Sequence, residues 1–222
     1  MEDQDIINLW KLQDARLEHS LAISAHLLHQ VKAQKTQITL RRLTAFKTRG
    51  VVAAVIYLIL LGTVIGYAVG HYSAAANYFI VSMGAIFAIN VKALADYIKH
   101  LVWINYIDYD GSVVAIQQRL TNLQLSIINH NRIMVLQLPF WSTFFLSSTW
   151  FPGNTPWQWG IIQLCVTGLL TWLAIWLYIN QVPANSDKKW FKVLFNGSGG
   201  KAVVRAMQYY DEIEEFKSHP AS

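Results

Sequence analysis

The chain has 222 residues, of which 54% are hydrophobic and 14% charged, with a mean hydropathy of +0.28 and a formal charge of +5. A soluble domain carries about a quarter charged residues, so this composition excludes an ordinary water-soluble fold and points to a membrane protein. The 13 acids lie in the same segments as the 18 bases, which leaves no field of one sign to hold nucleic acid.

Residues 1–49 read as one polar helical arm. Apolar residues recur near a 3.5 to 3.6 period at Ile7, Trp10, Leu17, Leu21, Leu28, Val31, Ile38 and Ala45, interrupted at Asp14, Ser24, Lys35 and Arg42. This pattern suits a helix packed on one side against other helices of the same protein. The opening MEDQDIINLW is acidic and amphipathic, unlike the basic start and apolar run of a secretory leader. With no Gly or Pro between Met1 and Arg49, the arm runs unbroken into the next segment, giving a helix of about 65 residues or ~100 Å.

That segment, about residues 50–71, carries no charge before His71. Some 20 apolar residues at ~1.5 Å each match the ~30 Å hydrocarbon thickness of a bilayer, so it reads as a first transmembrane helix. It ends in Gly62, Gly66 and Gly70, a small-xxx-small repeat that admits a close helix contact. The partner is either the second span, which offers Ser82, Gly84, Ala85 and Ala88, or another copy of the chain. The second span covers about residues 76–94 and continues without a breaker as KALADYIKHLVWINYI. There Lys92, Asp96 and Lys99 share one face, with Asn90, Leu94, Ile98 and Leu101 opposite. Lys92 and Asp96 then read as a solvated i,i+4 pair, and Asn90 as an amide in need of a partner.

A helical connection, 95–132, follows, turning at Asp108, Asp110 and Gly111. Its apolar stripe runs through Val113, Ile116, Leu120, Leu123 and Ile127 to Met134, into a third span predicted over 133–151. Pro139 predicts a kink near Val135, with Gln137 satisfying the freed backbone group. The functional alternative makes Asn90 and Gln137 the polar lining of a pathway. Trp150, Phe151, Trp157 and Trp159 form an aromatic belt at the outer turn, and a fourth span covers about 157–180. In the tail, 183–222, Lys188, Lys189, Trp190 and Lys192 predict contact with the membrane surface, with Phe191, Leu194 and Phe195 entering the interface. A last amphipathic helix presents Val203, Met207, Tyr210, Ile213 and Phe216.

Lys and Arg occur eight times before the first span, four times between Lys92 and Arg132 and six times from Lys188 on, which accounts for all 18. By the positive-inside rule both termini and the middle connection are cytoplasmic. Chemistry is not legible. The turn NGSGG before Lys201 lacks phosphate-loop spacing and has Ala202 where Ser or Thr would hold magnesium. His19, His26 and His29 share one side of the arm without a full ligand set, and with His100 and His130 read as helix-surface histidines. Cys165 is the sole cysteine, so no disulfide forms within the chain. No catalytic motif, metal site or cofactor is expected.

The strings KKWFKVLF, AMQYYDEIEEFK, YIKHLVWINYI and RIMVLQLPFWSTF resemble a family of small, uncharacterised four-span bacterial membrane proteins with no established activity. The resemblance implies localisation in the bacterial cytoplasmic membrane. The layout of arm, hairpin and cytoplasmic helix is also similar to that of two-span effectors proposed to form pores in defence systems. The expected fold is an all-α integral membrane protein with four transmembrane helices and long cytoplasmic helical extensions forming a bundle. The expected role is a non-enzymatic, self-assembling or partner-recruiting signalling or assembly component. Its partners would be the lipid bilayer, a homo-oligomer and a cytoplasmic protein; the alternative is a small homo-oligomeric channel or permeabilising effector.

Overall fold

The computed structural model describes residues 2–109, 111–147, 151–153 and 156–218. The side chains of Ile7, Asp14, Glu18, Leu21, His29, Tyr210, Ile213 and Phe216, and the residues Asp110, Trp150 and Asn154, lie outside the described residues. All regular structure among the described residues is helical.

Helix α1 spans Glu2–Gly70, 69 residues without a break, as the lack of any Gly or Pro before Gly50 predicts. At 1.5 Å per residue it is a rod of ~100 Å. A short 3₁₀ turn, Ala74–Ala76, returns the chain into α2, Asn77–Asn105, which packs antiparallel along α1. Leu61 on α1 meets Met83 and Ile86 on α2, and Phe79, Phe87, Phe140 and Phe144 close over them. With α4, Trp157–Asn180, α1 and α2 make three helices long and apolar enough to cross a membrane.

Past their apolar stretches, the Lys- and Arg-rich ends of α1 and α2 join α3 (Val113–Met134), α5 (Lys189–Gly197) and α6 (Gly200–Ser218) around a second core. The stripe read from the sequence of α3 supplies its middle: Val113, Ile116, Leu120, Leu123 and Ile127 are all buried. Each such side chain contributes roughly 1.5–3 kcal/mol through the area it removes from water. The Ser112 hydroxyl caps α3 by accepting from the Ala115 amide at 3.3 Å. Between α5 and α6 the chain turns on Gly199, at φ 92°, where a Cβ would come within 2.4 Å of the Leu43 side chain. A Cβ on Gly200 would strike the Phe195 ring, so these glycines serve close packing of the turn.

Four expectations about faces and spans are corrected. On α1 the buried side is Thr36, Leu40, Leu43 and Lys47, while Val31, Ile38 and Ala45 of the predicted stripe are exposed. On α2 Asp96 and His100 turn inward and Ile98 outward, because the interior there is polar and takes the charged face. Helix α3 ends at Met134 and the predicted third helix does not form. Val135–Gln137 and Pro139–Ser142 are 3₁₀ turns instead, since Pro139 cannot donate to the ladder and the Ser142 hydroxyl bonds the Pro139 carbonyl at 2.7 Å. In α5 Phe191 and Phe195 lie in the second core rather than at the interface, and Leu194 is exposed.

Candidate functional site

The irregular segment after α3 is threaded between α2 and α4 by polar side chains. Asn90 donates its Nδ2–H to Gln137 Oε1 at 3.2 Å and to the Ile86 carbonyl at 2.8 Å. Further along, Ser82 Oγ and Thr143 Oγ1 share a hydrogen bond of 2.8 Å, and the Phe151 ring sits 6.1 Å from that of Tyr78. The segment therefore follows α2 back from Asn90 to Tyr78, about 12 residues or ~18 Å of helix. From the other side Gln163 donates to the Ser142 carbonyl at 2.6 Å and to Thr167 Oγ1 at 3.0 Å, and Ser142 and Thr167 share a hydroxyl contact of 3.0 Å. Irregular backbone packed between helices needs protein groups to satisfy it, and these side chains do so. The structure thus brings Asn90 and Gln137 together, as partners of each other.

The glycine repeat divides. Gly62 faces Phe87 of α2, where a Cβ would stand 3.4 Å from the ring, but Gly66 and Gly70 have nothing within 4 Å. Of the tail residues, Lys188, Lys189 and Lys192 are exposed, and Trp190 packs its ring 5.1 Å from Trp176 at the end of α4. These groups do not converge with the polar segment.

What the sequence reading missed is a buried charged junction where α1, α2 and α3 meet just beyond the apolar stretches of α1 and α2. Lys47 is 0% exposed, and its Nζ lies 4.1 Å from the centre of the Tyr97 ring with no hydrogen-bond partner among the described residues. Gly50, one turn on, makes this possible: a Cβ there would come within 2.5 Å of the Tyr97 ring. Asp96 Oδ2 accepts from Lys92 Nζ and from His130 Nδ1, the latter at 3.2 Å. His100 Nε2 shares a 3.0 Å hydrogen bond with Ser126 Oγ, while its Nδ1 is unpartnered among the described residues. The two imidazoles meet edge to face at 6.1 Å.

Burial governs the protonation of this junction. It lowers Lys47 to about 8, against the opposing pull of the Asp96 carboxylate. It lowers His100 to about 3 and His130 to about 4, with the Lys47 charge acting in the same direction and Asp96 against it. Both histidines are therefore neutral at pH 7, and His130 carries its proton on Nδ1, facing Asp96. The one available signal was the i,i+4 spacing of Lys92, Asp96 and His100, which aligns three polar residues on one face of α2. Lys47 carried none, because a lysine just before a span ordinarily points to the headgroups.

Among the described residues no group of three or more His, Cys, Asp or Glu could hold a metal ion. His26 instead pairs with Gln30 at 3.0 Å on the exposed side of α1. No family model, curated protein or solved structure matches this chain.

Proposed function

We infer that this chain is a non-enzymatic integral membrane protein of the bacterial cytoplasmic membrane, a self-assembling or partner-recruiting component in signalling or assembly. It crosses four times, with the Lys- and Arg-rich bundle and both termini in the cytoplasm. Three crossings are helical. The fourth is the chain from Gln137 onward, whose contacts at Gln137, Thr143 and Phe151 follow α2 for ~18 Å, more than half of the ~30 Å hydrocarbon thickness. The observation that carries the role is the continuity of α1, which ties the membrane hairpin to the bundle in one rod and leaves the outer side of its arm free for a partner.

Mutual bonding of Asn90 and Gln137 favours their structural role over a permeation path, since each amide is engaged by the other. Purified protein in liposomes should pass no ions, and its detergent-solubilised mass should be a multiple of 25.3 kDa. Ion flux in the wild type, reduced by Asn90→Leu or Gln137→Leu at unchanged fold and mass, would replace this reading with the channel.

A further inference from the structure

Helix α1 carries two seams. The inner one, Thr36, Leu40, Leu43, Lys47, Gly50 and Leu61, is filled by the chain's own helices. The other starts at Trp10 and steps by sevens through Leu17, Ser24, Val31, Ile38, Ala45, Val52 and Ile59 to Gly66, apolar or glycine at every step but Ser24. Every one of these positions is exposed: Trp10 is 68% accessible, Ile38 49% and Ile59 63%, and Gly66 has nothing within 4 Å. At 100° per residue Ile38 lies ~180° from the midpoint of Thr36 and Leu40, so the two seams run on opposite sides of the rod. A strict seven-residue repeat is the spacing at which two helices keep contact by winding around each other.

We propose that the outer seam of α1 is the docking surface for α1 of a second copy of this chain, in a parallel, in-register pair; this rests on the four-crossing reading given above. The seam does not stop at the bilayer boundary. Its occupant must be a helix apolar over Val52 to Gly66 and then continue beside the arm to Trp10, a stretch of ~84 Å. Among the described residues α1 alone has that length. Two copies inserted with the same orientation are parallel by necessity, and equal heights then bring each seventh residue opposite its twin. Lys35, Arg42 and Arg49 flank the seam, and their like charges hold the two helices further apart there. Contact is closest above and below, at Leu17 to Val31 and at Val52 to Gly66, where glycine admits the partner backbone.

The test is oxidative crosslinking in isolated membranes of single-cysteine variants made in a Cys165→Ser background. Leu17→Cys, Val31→Cys and Val52→Cys should yield covalent dimers. Arg16→Cys and Gln30→Cys, exposed but one residue off the seam, should yield several-fold less. Equal yields on and off the seam, or no dimer at any position, would overturn the proposal. Labelling the same cysteines with an impermeant thiol reagent separates the two readings. Reaction from the cytoplasmic side alone keeps the topology whatever the crosslinks show, and reaction from outside removes it.

Discussion

Lys47 can be buried beside Tyr97 because position 50 has no side chain. Gly50→Ala would place a methyl group 2.5 Å from the Tyr97 ring, which must swing away and uncover the Lys47 ammonium. We expect a loss of roughly 1–3 kcal/mol, read as a lower melting temperature in detergent. Gly66→Ala meets nothing within its own chain, so any fall in melting temperature it causes reads the contact with a second α1 proposed above. The histidines of the same junction set its response to acid. Unfolded, they bind protons near pH 6.5; folded, they do so only near 3 and 4. The unfolded chain therefore binds more protons between these values, and stability is full above about pH 6.5 and falls as pH drops toward 4. Melting temperature should follow that curve, and His130→Asn should flatten it. Lys47 acts at the other end: with its folded value lowered to about 8, stability rises as pH climbs from 8 toward 10.5.

Among the elements, α3 was legible and α1 was half so, for the same reason. The α3 stripe is purely aliphatic, so hydrophobic spacing alone finds the buried side, and Leu120→Ala should cost about 2–5 kcal/mol in denaturant unfolding. On α1 the buried seam holds Thr36, Lys47 and Gly50, which a search for apolar periodicity passes over. Of the more regular apolar pattern, Trp10, Leu17, Val31, Ile38 and Ala45 face outward, and Leu28 alone among its described side chains packs on the bundle core. On α2 Asp96 misled in the same way, because a carboxylate is read as solvated unless its partners are known, and His130 and Lys47 come from other helices. Pro139 gave notice of a break but not of its length. What keeps the chain from resuming a helix is the local bond from Ser142 to Pro139 together with those that Gln163 and Thr167 make to Ser142 from more than twenty residues away. Gln163→Leu strands the Ser142 carbonyl, and a loss on the order of 1 kcal/mol is expected in detergent unfolding.

For the whole molecule, the proposed even number of crossings rests on the distribution of Lys and Arg and on the polar path along α2. Cysteines introduced at Asn77 and Gly153 should react with an impermeant reagent on intact cells, and those at Ser20 and the exposed Lys201 only after the membrane is opened. External reaction at Ser20 would reverse the orientation. The continuity of α1 has one more consequence. In the proposed topology span and arm are one helix, so a tilt of about 10° about the boundary near Lys47, well within what a span adopts to match bilayer thickness, carries the end at Glu2, ~68 Å away, ~12 Å sideways. Small changes in lipid length are thereby magnified at the far end of the arm into displacements the width of a helix.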